Sequence, residues 1–254
     1  MEQGDFSALA ENYRKYRSGY SPVAVDALKK HVGADKEGFK VADVGAGTGI
    51  WTGIMLASGL DVTAVEPNDA MREQGIAHTK GFGNVWKKGS GSETSLEDSS
   101  VDWVIMASSF HWVGTKEGLP EFSRILKPGG YFTALWNPRN IKGNEFHESV
   151  EAMIKDVVPE LTRVSSGSSG FAAELDKTMY DGDLFKDVTY IEEEHDEVMS
   201  KERYIGVWRS VNDIQAQAGL ERFEKIISNI EKMIENMENV VTPYKTRAWT
   251  AQKV

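Results

Sequence analysis

Val41-Ala42-Asp43-Val44-Gly45-Ala46-Gly47-Thr48-Gly49 is the stretch on which the reading of this chain turns. A short apolar strand runs into a turn with glycine at every second position, and Ile50 to Ala57 behind it is amphipathic. Strand, loop and helix in that order leave bare backbone for a ligand to approach closely, so a small molecule is expected there. The glycine spacing then separates two ligand classes. A dinucleotide fingerprint places glycine at the first, third and sixth positions, the last of them packing helix on strand. Counted from Gly45 the sixth position is Ile50, and counted from Gly47 it is Thr52. Neither start fits, and the dehydrogenase reading loses ground.

The next strand signal ends on an acid. Asp61-Val62-Thr63-Ala64-Val65-Glu66 reads as a buried strand closing about twenty residues past the first glycine, where a carboxylate accepts hydrogen bonds from both hydroxyls of a ribose. Glu66 is the predicted ribose ligand; the alternative is an exposed acid at a strand end.

Working outward, Ser21-Pro22 ahead of Val23 to His31, with Gly33 beyond, supplies an N-cap, a proline at the first helical position and a glycine stop. After that helix the pattern predicts strand 39–44, helix 49–58, strand 61–66, helix 68–77 opened by Asn68, and a short strand near 84–87. Strand 101–107, helix 116–126 and strand 130–136 follow. Strands alternating with helices imply an α/β fold with a parallel, doubly wound sheet. Ligands in such sheets gather at the carboxyl ends of the strands, which brings Gly45 to Gly49, Glu66, Ser90 to Ser92 and Ala107 to Trp112 around one crevice. From Glu221 to Asn239, apolar residues at three- and four-residue steps predict one long amphipathic helix whose stripe packs the core.

Composition bounds the function classes. At 254 residues the chain suits one domain with a substantial core, since single cores stop growing at about 250–300 residues. It is 40% hydrophobic and 27% charged, with no apolar run near the roughly 20 residues of a membrane span. The net charge of -10 opposes binding to a phosphate backbone, so nucleic acid is not the expected substrate. Met1 to Ala10 has no basic segment followed by an apolar block, and cysteine is absent, which together lead to the expectation of a cytoplasmic enzyme. His31, His78, His147 and His195 show no metal-ligand spacing, so no metal is expected, and Gly89-Ser90-Gly91-Ser92-Glu93 lacks the second glycine of a nucleophile elbow.

Four motifs in order carry a resemblance: Val41 to Gly49; Val65-Glu66-Pro67-Asn68-Asp69-Ala70-Met71; Ser100-Val101-Asp102 through Phe110-His111-Trp112; and Ile125-Leu126-Lys127-Pro128-Gly129-Gly130. Over residues 6 to 137 the chain resembles the class I S-adenosylmethionine-dependent methyltransferases, in particular their small-molecule type 11 branch, which is trans-aconitate methyltransferase-like. Thr242 to Trp249 looks like that family's closing strand. The resemblance implies a Rossmann-like, doubly wound, seven-stranded sheet, mostly parallel with the last strand antiparallel, and a helical lid or insertion. It divides the chain into a donor-binding core with N-terminal lid helices at 1–137, a variable insertion or substrate cap at 138–200 that includes the serine-glycine run 165–170, and C-terminal helices with the closing strand at 201–254.

The same resemblance assigns S-adenosyl-L-methionine as cofactor and S-adenosyl-L-homocysteine as product. Gly45, Ala46 and Gly47 would pass the methionine portion, Glu66 the ribose, Pro67 and Met71 the adenine face, and Gly91 and Ser92 the adenine edge, with Ala107 at the strand end opposite. Asp43 would order the loop or reach the donor's ammonium group through a water. Ser92 departs from the family, which more often has an acid there, so a backbone contact is expected. Tyr13 and Arg17 resemble the family's lid and would clamp the donor carboxylate, a guanidinium matching it bidentately; Ser18 stands where a proline is common.

For the acceptor, His111 follows a strand whose carboxyl end faces the transferred methyl and is the candidate general base; the alternative is a histidine bonded to backbone beneath Trp112. Tyr20, Trp112 and Trp136 would form an aromatic wall beside the sulfonium. Arg139 would hold an acidic substrate group or else pair with a surface carboxylate. A small-molecule acceptor is expected, O-methylation of a carboxylate being the first guess. A non-catalytic donor-binding regulator and, less favoured, a nicotinamide oxidoreductase remain open on the residues alone.

Overall fold

In the computed structural model, residues 9–83, 85–163, 172, 174–179 and 183–254 are described. The serine-glycine run 165–170 lies outside them. Two helices, α1 (Ala10–Tyr16) and α2 (Pro22–Val32), precede the sheet. Ser21 caps α2 by accepting from the Ala24 N–H, and Gly33 ends it in the left-handed conformation. Then follow β1 (Lys40–Val44), α3 (Ile50–Ala57), β2 (Asp61–Val65), α4 (Asp69–His78), β3 (Trp86–Lys87), β4 (Val101–Ala107), α5 (Gly114–Ile125) and β5 (Leu126–Trp136). The rest comprises α6 (Glu145–Val157), α7 (Leu175–Thr178), β6 (Phe185–Met199), α8 (Lys201–Arg209), α9 (Asn212–Met233) and β7 (Val240–Lys253).

The seven strands form one sheet in the order β3-β2-β1-β4-β5-β7-β6. β1 to β5 pair in parallel, and β7 runs antiparallel between β5 and β6. Strand order reverses direction between β1 and β4, and a crevice opens at such a switch point beyond the carboxyl ends of the strands. Both faces of the central strands are covered, which is why they read as continuous apolar runs. Along β4 the period of two sends Trp103 and Ile105 to a cluster with Leu28, Trp51 and Met55, and Val104 and Met106 to one with Phe110, Phe122 and Phe132.

A third cluster is helical. Val150 and Ile154 of α6, Tyr204 and Trp208 of α8, and Ile226 and Ile230 of α9 pack together. The apolar stripe expected at 221–239 is therefore core. The helix starts earlier than expected, with a break at Gly219 (φ 71°), and ends at Met233. Residues 185–199, expected inside an insertion covering the pocket, instead form the edge strand β6, paired with β7 from Phe185↔Lys253 to Met199↔Val240. Among the described residues no helix is long and apolar enough to cross a membrane.

Candidate functional site

The loop after β1 is built to bring peptide, not side chains, to the crevice. Gly45, Gly47 and Gly49 all have positive φ (68°, 58° and 79°), which other residues adopt only with strain. A Cβ at Gly45 would also lie 2.7 Å from Ser109 Oγ. The loop is pinned to the end of β2: the N–H groups of Gly45 and Ala46 both donate to Val65 O, at 2.8 and 3.1 Å. Glu66, the next residue, accepts from Gly47 N at 2.8 Å through Oε2 and from Asn68 N at 2.8 Å through Oε1. Each carboxylate oxygen keeps acceptor capacity for a further donor. Burial raises the Glu66 pKa, and the two backbone N–H groups oppose that rise.

Beneath the loop, Asp43 is fully buried. Its Oδ2 accepts from Thr52 Oγ1 at 2.6 Å, while Oδ1 has no hydrogen-bond partner among the described residues. Desolvation, with Glu66 as a neighbouring like charge, pushes its pKa up to about 7 against the pull of Thr52. Thr48 Oγ1, in the loop itself, is likewise buried without a partner.

The loop and Glu66 bound a cavity of about 400 Å³, which Asp43, beneath the loop, does not line. Gly45, Ala46, Gly47, Glu66, Pro67 and Met71 line one side, with Gly91 and Ser92 beyond. Ala107 lines it from the end of β4, and Tyr13 and Tyr20 line it from the N-terminal segment. Tyr20 packs edge-on against Trp51 (5.1 Å between centroids) and shares a 3.1 Å hydrogen bond with Ser108 Oγ. Ser108 holds φ at 59°, an unusual backbone state for a non-glycine residue and one that clusters at functional sites. Trp112 also lines the cavity and is 55% exposed, a large apolar ring left at a pocket mouth.

α1 is tied across the site from both sides. Arg14 Nε donates to Gln74 on α4 at 3.0 Å, while Lys15 Nζ and Tyr16 OH each reach Glu202 on α8 at 3.0 Å. A Cβ at Gly206 would sit 2.2 Å from the Tyr16 ring, so α8 presents a bare backbone to that ring.

Several expected site residues are elsewhere. Arg17 is not among the lining residues: the chain turns extended there, and its Nε and Nη2 donate to Ser210 Oγ (2.9 Å) and Ser210 O (3.2 Å) at the C-terminus of α8, where a cation suits the helix dipole. Trp136 shares the sheet face of Phe132 and Ala134, so the period of two buries it against Trp249 (5.8 Å) and not in a wall beside the cavity. Arg139 is not among the lining residues either: it pairs with Glu151 at 2.8 Å and lies 4.0 Å over the Trp208 ring. His111 sits in the 3-10 turn Phe110–Trp112, outside the lining, with its ring 4.6 Å from Trp112. Its Nδ1 is buried without a partner among the described residues, and burial lowers its pKa to about 4. Such an imidazole is neutral near pH 7 but a weak proton acceptor.

None of the described residues of 138–200 lines the cavity. Sequence reasoning missed Ile50, Trp51, Met106, Val113 and Glu117, which do. Val113 and Glu117, four apart at the start of α5, continue inward from Trp112 at helical spacing, and that spacing was the available signal.

The comparisons agree with this geometry. A family model described as "Methyltransferase domain" matches residues 42–134, from β1 through β5. The chain is similar to an uncharacterised methyltransferase of Mycobacterium tuberculosis, 33% identical over 160 residues, covering 63% of each chain. An uncharacterised methyltransferase-like protein of Schizosaccharomyces pombe is 26% identical over 221 residues, covering 84% of this chain and 82% of that one. The fold is shared with a solved structure from Anaeromyxobacter dehalogenans, provisionally assigned as a type II methyltransferase: TM-score 0.62, 19% identity, 92% of this chain and 97% of that one.

Proposed function

We propose that this chain is an S-adenosylmethionine-dependent methyltransferase acting on a small-molecule acceptor, with the donor held between the Gly45–Gly49 loop and Glu66. The observation that carries the reading is the carboxylate of Glu66: it faces a cavity of about 400 Å³ at the switch between β1 and β4 and is fixed by two backbone N–H groups with acceptor capacity to spare. The residues fit that donor on other counts. The glycine loop offers close approach, the unpartnered Oγ1 of Thr48 at the cavity would donate toward the donor's carboxylate, and Asp43, outside the lining, would order the loop from beneath through Thr52.

When bound, the donor supplies an electrophilic methyl on a sulfonium. Transfer would form a bond from the acceptor to that methyl carbon as the carbon–sulfur bond breaks, the electron pair passing to sulfur and S-adenosylhomocysteine leaving. The chain's own work is alignment and exclusion of water, and positioning of this kind is worth on the order of 7–11 kcal/mol. Tyr20 and Trp112 supply ring faces at the cavity for the sulfonium, each contributing roughly 0.5–2 kcal/mol. Pro67, Met71, Gly91 and Ser92, which line the cavity, would hold the adenine, and Tyr13 on α1 would cover the donor. With His111 outside the lining and its pKa near 4, an acceptor that arrives ionised, such as a carboxylate, suits the site better than one needing deprotonation.

Titration calorimetry with S-adenosylmethionine and S-adenosylhomocysteine tests the binding half; absence of binding by both ends the proposal. Mass spectrometry of metabolite extracts, searched for a donor-dependent gain of one methyl group, tests the transfer half. Binding without any such gain would make the chain a donor-binding regulator.

A further inference from the structure

Three guanidinium groups converge beside α1, and they are short of negative charge. Arg139 Nη2 meets Glu151 Oε1 at 2.8 Å, and Arg163 approaches the other oxygen of the same carboxylate only to 3.8 Å from Nη1. Arg163 Nε lies 3.5 Å from Asp213 Oδ2. Arg17 binds the neutral Ser210. Among the described residues, three positive groups thus face two carboxylates, Glu151 and Asp213, in a protein whose net charge is -10. Nearby His147, whose pKa burial lowers, and Tyr204, whose pKa burial raises, are neutral near pH 7 and supply no anion.

The deficit is felt at one atom. Arg163 Nη1 is buried and makes no hydrogen bond among the described residues, its distance to Glu151 being too long for one. Desolvation, together with Arg139 and Arg17 as like-charged neighbours, lowers the pKa of that guanidinium. A buried cationic donor left unsatisfied is costly, and an oxyanion is the chemistry that removes both the charge excess and the missing bond. The cluster lies outside the lining of the donor cavity but is linked to it through Tyr13, whose ring lines the cavity and lies 4.8 Å from the Arg17 guanidinium, and Arg139 follows β5 on the side where the strands end.

We propose that Arg139 and Arg163 form the acceptor-anchoring subsite, binding an oxyanion group, carboxylate or phosphate, carried by the molecule to be methylated. This rests on the methyltransferase reading above. It differs from the sequence-based expectation for Arg139 in making Arg163 the residue with an unfilled donor and Glu151 the carboxylate that orients both.

The test is calorimetric titration of the full chain, saturated with S-adenosylhomocysteine, against sodium malonate and separately against inorganic phosphate at constant ionic strength. Saturable binding of at least one is expected, and which one binds tells a carboxylate site from a phosphate site. Arg163→Gln is expected to weaken that binding about tenfold or more, because a bidentate fork is lost, while affinity for S-adenosylhomocysteine stays within about twofold. Arg163→Lys, which keeps charge without the fork, should lose part of the affinity and serves if the glutamine variant does not fold. No saturable binding of either anion by the wild type, or unchanged binding by both variants, overturns the inference and leaves the cluster as an ion network joining α6 to α9. Failure of S-adenosylhomocysteine to bind at all overturns instead the reading beneath it.

Discussion

Asp43 concentrates the electrostatic tension of the site in a single side chain. Its carboxyl is wholly buried, near Glu66, and has one oxygen without a partner, so folding favours the protonated form and raises the pKa to about 7 from 3.8. The sign follows: the fold is fully stable with respect to this group below about pH 4 and loses stability as pH rises through 7. Asp43→Asn removes the charge that folding disfavours. The difference in Tm between Asp43→Asn and the ligand-free wild type should therefore widen in the variant's favour from pH 5 to pH 8, by several °C at roughly 2–4 °C per kcal/mol. A difference that does not change with pH would show that another group titrates. The same substitution is expected to weaken S-adenosylmethionine binding, an acid kept at a cost in stability being the pattern of a functional site. His111 gives the opposite expectation. With its pKa near 4 and no place in the lining, His111→Ala should leave the donor dissociation constant within about twofold and remove no limb from the pH–rate profile between 6 and 8; loss of such a limb would restore it as the base. Residues were legible in the sequence where chain spacing alone fixes them. Glu66 follows a strand that must end beside the glycine loop, whereas the packing of Trp136 against Trp249 and the pairing of Arg139 with Glu151 on α6 were not legible because both are tertiary facts.

Helices announced themselves through caps and strands through apolar runs, and so α2, with its Ser21 cap and Gly33 stop, needed no tertiary information. β6 carried neither signal. Glu192, Glu193, Glu194, Asp196 and Glu197 put charge on both of its faces, and its order comes from pairing with β7; charge of this kind also protects an exposed sheet edge from other chains. α1 is the element on which access to the cavity turns. Its seating depends on the Tyr16 ring lying against the bare Cα of Gly206, while the ion pair of Lys15 with Glu202 is exposed and worth little. A methyl at position 206 cannot coexist with the ring at 2.2 Å. Gly206→Ala should unseat α1 without touching the sheet, and the expected result is S-adenosylhomocysteine dissociating about tenfold faster in stopped-flow measurements, since lid opening sets such rates. An unchanged rate would mean that α1 does not cover the bound donor.

At the scale of the whole molecule, one sheet with a two-residue edge strand, β3, and a fifteen-residue edge strand, β6, carries the crevice at the switch between β1 and β4, with a separate helical cluster beside it. The cavity walls come from the segments that follow β1 and β2, from the end of β4 and from the N-terminal segment, parts far apart in sequence that a bound ligand would touch at once. A ligand bound there and not to the unfolded chain stabilises the fold by mass action, by about 2.7 kcal/mol at one hundred times its dissociation constant. For a domain of this size that corresponds to a rise in Tm of roughly 5–10 °C with S-adenosylhomocysteine. NADH at the same concentration should give no shift, because the third glycine of a dinucleotide loop is replaced by Ile50 or Thr52. Glu66→Gln separates the wall from the rest of the molecule. The amide still has an oxygen for one of the two backbone N–H groups, so ligand-free Tm should fall only modestly, but its NH2 cannot accept from a ribose hydroxyl. The shift with S-adenosylhomocysteine should then shrink by more than half. A full shift in Glu66→Gln would place the ribose elsewhere and detach the cavity from the function assigned to it.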